Sequence, residues 1–113
     1  MLVKGKDPRE IVIALINRSI CAVKVGAVIV DRWGIHSWGW NSSGYTGLGE
    51  HAEAHAIRRC NRDRMGNSTL YVGAVRMRNN KIITAKPCEE CMKLIKGIGR
   101  VIYRNGEGEW VDL

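Results

Sequence analysis

His51 and Glu53 lie two residues apart, and Cys88 and Cys91 lie three apart directly behind Pro87. One imidazole and two thiols form a zinc donor set, because histidine nitrogen and thiolate sulfur are ligands this borderline-soft ion favours. Three protein ligands leave the fourth corner of a tetrahedron open, which marks a catalytic centre more than a structural one. Two thiolates cancel the formal charge of Zn2+, so the next ionisation falls to water at that corner. Its pKa is drawn from about 15.7 toward roughly 7. Glu53 is then the carboxylate placed to carry protons, a role that typically contributes about 10²–10⁴-fold. The expected centre is one zinc per chain held by His51, Cys88 and Cys91, with Glu53 as the catalytic acid/base.

The fold must bring together residues separated by positions 52–87. Asp7 reads as an N-cap, Pro8 suits the first helical turn, and Glu10 follows three residues after the cap. Ile11, Val12, Leu15 and Ile16 supply a helical apolar stripe, so a helix is predicted to about Arg18. Residues 22–30 are rich in valine and isoleucine and read as a buried strand. A turn at 31–34 leads to its antiparallel partner at 35–40. Residues 41–49 are polar and glycine-bearing, hence a loop. A second helix is predicted over 50–64, with His51 and Glu53 in its first turn and Gly66-Asn67 ending it. Residues 69–77 read as a strand, with a turn near Asn79-Asn80 and a short extended return at 82–85. Pro87 is expected to open a third helix that runs to about Lys96 and stops at Gly97. Strands at 100–104 and 109–113 complete the chain.

Helices between strands are crossovers, and they predict parallel pairing in an α/β sheet. Both metal motifs fall at helix starts, where ligand sites of open α/β sheets gather. Two residues apart in a helix interior, His51 and Glu53 would point away from each other. At a helix start the metal lies beyond the end, and both side chains can converge on it.

With 113 residues, 45% of them apolar, one domain with a real core is expected over 1–113. No apolar run approaches the roughly 20 residues that cross a bilayer, so no membrane partner is expected. The first residues lack a signal peptide's apolar centre, which points to a cytoplasmic, reducing setting where four cysteines are thiols or metal ligands. The net charge of +7 favours an anionic partner, nucleic acid or nucleotide, or else reflects a basic solvated surface.

Alternatives stand beside each motif. Cys88 and Cys91 alone fit a redox pair or half of a structural zinc site. His55, four residues after His51, permits a closed site of His51, His55, Cys88 and Cys91, although that leaves Glu53 without a role. The plainer reading of His55 is a packed helix residue, and of His36 an ordinary strand residue. Cys21 and Cys60 read as small buried hydrophobes. Trp38 and Trp40 share one strand face, as packing or as a base-stacking platform. Arg58, Arg59, Arg62 and Arg64 form a solvated face or a phosphate track.

Taken together, His51-Ala52-Glu53 and Pro87-Cys88-Glu89-Glu90-Cys91 match the H-x-E and P-C-x-x-C signature of zinc nucleobase deaminases. With Trp38-Gly39-Trp40-Asn41, Ser68-Thr69-Leu70-Tyr71-Val72 and 97–103, the chain resembles the cytidine/deoxycytidylate deaminase superfamily over most of its length. That resemblance implies a three-layer α/β fold with a mixed five-stranded sheet flanked by helices. It implies Asn41 as a substrate-binding residue near base and sugar, and Ala52 as backbone lining of the base pocket. The reaction implied is hydrolytic deamination of cytosine to uracil in a free cytidine, deoxycytidine or monophosphate, by zinc-activated water attacking C4. Alternatives are cytosine in single-stranded DNA or RNA, adenine attacked at C6 in RNA, and a noncatalytic zinc-stabilised nucleic-acid-binding module. The chain departs from the family at 73–86, which predicts an added hairpin or a longer strand and turn, and at Lys86, where many relatives carry an acidic or small residue. The segment 81–91 is more similar to small phage or bacterial toxin-type members. A homo-oligomer is implied, with a partner subunit covering an open sheet edge.

Overall fold

A computed structural model describes residues 7–42 and 50–113. The expected loop at 43–49 and the chain before Asp7 lie outside the described residues. Helix α1 (Pro8–Ile16) is followed by β1 (Val23–Asp31) and β2 (Gly34–Trp40), then α2 (Ala52–Arg59) and a short α3 (Arg62–Met65). Strands β3 (Thr69–Arg76) and β4 (Lys81–Ile83) form a hairpin. Helix α4 (Glu89–Leu94) runs into a 3-10 turn, Ile95–Gly97, before β5 (Arg100–Arg104) and β6 (Trp110–Asp112).

The strands form one mixed sheet in the order β2-β1-β3-β5-β6, with β4 paired to β3 beyond the end of β5. β3 and β5 are parallel, as their helical crossover predicts. β2 and β3 also run the same way, but β1 lies between them and pairs antiparallel with both. Alternation along β1 and β3 sorts the core onto two faces. Ala27, Ile29, Leu70, Val72 and Ala74 pack with Ala52, Ala56 and Ile57 of α2 and with Met65 and Ile95. Val28 packs on the other face with Val12, Leu15 and Ile16 of α1. Central strands covered on both faces read as continuous apolar runs, which is why 22–30 stood out in the sequence. The result is the expected three-layer arrangement: α1, the sheet, then α2, α3 and α4. Among the described residues no helix is long and apolar enough to cross a membrane.

Three boundaries differ from expectation. The helix predicted over 50–64 breaks at Cys60, which is extended. Asn61 then caps a new turn by accepting from the Asp63 N–H, so one predicted helix becomes two. His51 precedes α2 as its N-cap. Pro87 likewise stands outside its helix, because Cys88 is the N-cap and α4 begins at Glu89. Within 73–86 the end of β3 and β4 form a hairpin, turned through residues 77–80 with Asn80 at φ 54°, a left-handed conformation that asparagine tolerates.

Two contacts fix α2 and α3 against β1 and β2. A Cβ on Gly39 would stand 2.7 Å from the Ala56 nitrogen and 2.8 Å from the His55 Cβ. Glycine is what lets α2 lie this close to the sheet, where Ser37 Oγ donates to the Ala56 carbonyl at 2.6 Å. Gly39→Val therefore pushes α2 outward, and the expected loss is about 1–3 kcal/mol in urea denaturation. Arg64 grips Asp31 with two hydrogen bonds of 2.6 Å. That hydrogen bonding holds the Asp31 carboxyl at about 2, against an ordinary 3.8. A depressed carboxylate pKa gives stability that is complete above the unfolded value and is lost as pH falls toward the folded one. The stability lost on acidification from pH 4 to pH 2 should therefore shrink in Arg64→Gln, read as thermal midpoints across that window.

Candidate active site

The helix starts build the centre. His51 and Cys88 are both N-caps with extended backbones, at φ −72°, ψ 151° and φ −72°, ψ 171°. Neither side chain makes a capping hydrogen bond, whereas the other two α-helix N-caps among the described residues, Asp7 and Asn61, both do. Released from capping, the two side chains turn toward each other. Cys91, one helical turn into α4, completes the group. His51 Nδ1 lies 3.1 Å from Cys91 Sγ and 3.6 Å from Cys88 Sγ. All three donor atoms fall within 4.8 Å of one another. Donors around a tetrahedral zinc stand roughly 3.5–3.8 Å apart, given Zn–S near 2.3 Å and Zn–N near 2.0–2.1 Å. The group therefore fits one ion with adjustments of a few tenths of an ångström.

The electrostatics are those of groups that stay neutral until a cation binds. Cys91 is 1% exposed, and burial pushes its thiol well above the ordinary value, with the Glu53 charge and Cys88 adding to the rise. A bare thiol there stays protonated and is a poor ligand. A divalent ion inverts this, since a coordinating thiol gives up its proton. Glu53, at the second position of α2, is 6% exposed. Burial raises its pKa, opposed by its own backbone N–H, the His51 charge and a hydrogen bond from the Cys91 thiol. A buried carboxyl with a raised pKa beside the donor group is placed to take up and release a proton.

A cleft of about 190 Å³ opens beside these residues. That is below the roughly 300–1,000 Å³ of pockets for drug-sized ligands, and suits one heterocyclic base. Ala52 and Asn41 line it. Ala52 is fully buried. Asn41 is anchored: Oδ1 accepts from Ser19 Oγ at 2.6 Å and from the Val25 N–H at 2.9 Å, and Nδ2 donates to the Val23 carbonyl at 2.7 Å. Among the described residues, the second amide N–H has no partner. Sequence reasoning missed the apolar floor, Val23, Val25 and Ala74, and most of the wall, Thr84, Ala85 and Lys86. Lys86 alone carried a signal, as a departure from the family pattern. A larger cleft of about 610 Å³ lies on the α1 face between the Arg9–Asp7 and Arg100–Asp112 pairs, and none of the metal donors lines it.

The remaining candidates go elsewhere. His55 Nδ1 lies 3.2 Å from both the nitrogen and the oxygen of Trp40, so its ring serves the packing of α2 on β2. His36 Nε2 meets Ser68 Oγ at 2.8 Å. Trp40 packs against the α1 core and stands edge-on to the His55 ring, while Trp38, 40% exposed, lies under Arg59. Neither tryptophan lines the metal cleft. Arg58 is paired with Glu50 and Arg64 with Asp31, which leaves Arg59 and Arg62 of the α2–α3 arginine track outside the ion pairs of the described residues. Cys60 is buried as expected; Cys21 is only partly so.

Purified protein should hold about one zinc per chain, and His55→Ala should keep that stoichiometry. Cys91→Ser should weaken zinc retention against a chelator by well over the roughly 10–100-fold typical of losing an outer-shell partner, read by elemental analysis.

The model of the cytidine and deoxycytidylate deaminase zinc-binding region matches residues 9–104. Similar solved structures include a cytidine deaminase from Burkholderia pseudomallei, at 20% identity and TM-score 0.69, covering 92% of this chain and 87% of that one. Cytidine deaminases from Mycobacterium leprae (20% identity, TM-score 0.60, covering 92% and 88%) and Mycobacterium tuberculosis (16%, 0.53, covering 87% and 85%) share the fold. No curated protein matches the sequence. With its donor group of His51, Cys88 and Cys91, the chain belongs to the cytidine and deoxycytidylate deaminase zinc-binding family and is a zinc-dependent hydrolase of that type.

Proposed function

We propose that the chain, acting as one domain, hydrolyses cytosine to uracil and ammonia in a free cytidine or deoxycytidine or its monophosphate. The observation that carries this reading is Glu53, a buried carboxyl beside the three donors, on the wall of a cleft sized for one base. His51, Cys88 and Cys91 would hold one zinc. The ion, when bound, supplies a Lewis acid that acidifies water toward roughly neutral pH.

The chain's own residues do the rest. Val23, Val25 and Ala74 present an apolar floor to the base and exclude bulk water. The anchored Asn41 offers its remaining amide N–H to the substrate, and the Ala52 backbone borders the ring. Glu53 accepts a proton from the attacking water and passes it to the ring nitrogen N3. It relays a second proton to the exocyclic amine, so that C4 gains oxygen as the C4–N4 bond breaks and ammonia departs. Both transfers are favoured by a carboxyl whose pKa is raised from its ordinary value, the direction in which burial shifts Glu53.

The second reading is cytosine in single-stranded DNA or RNA. The α2–α3 arginines first suggested it, and their pairing with Glu50 and Asp31 weakens that support. A homo-oligomer that covers the open edges of the sheet at β2 or β6 belongs to the same proposal. Glu53→Gln keeps the shape and the zinc but cannot carry the proton. Turnover of cytidine should fall by about 10²–10⁴-fold, with zinc content unchanged, followed by ultraviolet absorbance. Full activity in this variant contradicts the assignment.

A further inference from the structure

The hairpin 73–86 carries Arg76, Arg78, Lys81 and Lys86 and no acidic residue. None of the four ion pairs among the described residues involves these side chains. Register fixes where two of them stand. Ala74, on the floor of the metal cleft, pairs with Val25 on one side and Ile83 on the other. One step outward, roughly 7 Å along the strand, Arg76 pairs with Val23 and with Lys81. Directly paired residues share a sheet face, so Arg76 and Lys81 rise on the face that holds the donors, next to the cleft. Both are exposed.

Lys86 closes the same rim from the wall. The backbone around it is held in place: the Ala85 N–H donates to the Arg104 carbonyl at 2.9 Å, and Lys86 N–H bonds to Thr84 Oγ1 at 3.3 Å. A second groove, of about 420 Å³, shares the lining residue Val23 with the cleft and is flanked by Arg76 and Arg78. The carboxylates nearest in sequence after β4, Glu89 and Glu90, sit in the first turn of α4. Glu107 and Glu109 lie on the β5–β6 turn, which packs on the opposite face against Ile82.

We propose that this hairpin is a phosphate-binding flank of the active site: Arg76, Lys81 and Lys86 hold an anionic phosphate attached to the nucleoside whose base enters the metal cleft. The inference rests on the deaminase reading and deepens it. The preferred substrate is then a phosphorylated cytosine compound, and bare cytidine is the poorer one. The phosphate has two sources, the terminal group of a mononucleotide or a phosphodiester of a single strand. The hairpin thereby replaces the α2–α3 arginines as the basic element that meets substrate.

The test measures kcat/KM for deoxycytidine, dCMP and a single-stranded oligonucleotide with one cytosine, in the wild type and in Arg76→Gln/Lys81→Gln. Binding of labelled dCMP and of a fluorescein-labelled oligonucleotide is followed in parallel, since neither needs turnover. A charge-assisted contact contributes about tenfold or more. The wild type should therefore prefer at least one phosphorylated substrate over deoxycytidine by about that factor, mostly through KM. The double variant should bring the ratio to within about twofold of one, and Arg76→Lys should retain most of it. A preference confined to dCMP assigns the terminal phosphate, and one confined to the oligonucleotide assigns the phosphodiester. In the latter case the slope of log affinity against log salt should flatten by roughly 1.4 in the double variant, at about 0.7 per contact. Equal kcat/KM for all three substrates, or an unchanged ratio in the double variant, overturns the proposal. If no substrate is turned over, the deaminase reading fails, and the binding data still decide the hairpin: salt-sensitive binding lost in the double variant supports it, and its absence overturns it.

Discussion

The structure depends on holding three soft donors and one buried carboxyl at a single point. Left without a cation, these groups stay neutral: burial and Glu53 raise the Cys91 thiol, and burial raises Glu53. A divalent ion held by His51, Cys88 and Cys91 would turn the thiols into ligands, and its charge would favour the ionised Glu53. Much of the surrounding fold can be understood as the means of bringing 51, 53, 88 and 91 together. The sheet does this by placing α2 and α4 on one face, each entering from an extended residue whose side chain is free of capping.

The same device explains the spacing of the motif. His51 and Glu53 would diverge in a continuous helix. One extended residue before the first turn lets the imidazole reach forward while the carboxyl stays inside the helix end. The close approach at Gly39 then fixes the depth at which α2 sits, while Asn41 is anchored to β1 and Ser19. A cleft floored by Val23, Val25 and Ala74 follows from that depth, since these side chains alternate onto the donor face of β1 and β3.

How much of this could be read in the sequence varied with the physics involved. The central strands were legible because burial on both faces demands unbroken apolar runs, and the donor set was legible because zinc restricts its ligands to few residue types. The break at Cys60 was not, because apolar and basic residues continue in helical order through it; only the Asn61 cap marks the new start. Pairing order was half legible: a helical crossover says that β2 and β3 run in the same direction, but not that β1 lies between them. The resting places of His55 and Arg64 depended on partners far away in sequence, Trp40 and Asp31. The short extended return at 82–85 was legible, but nothing in Thr84, Ala85 and Lys86 showed that they would line the cleft. Lys86 stood out only as a departure from what many relatives carry.

The central claim is that the metal has three protein ligands and one open corner. X-ray absorption spectroscopy of the zinc-loaded protein tests it most directly. The account predicts two sulfurs near 2.3 Å, one histidine nitrogen near 2.0–2.1 Å and one light ligand from solvent that a small competing anion can replace. A shell closed by a second imidazole or a third sulfur, with no exchangeable position, would contradict it.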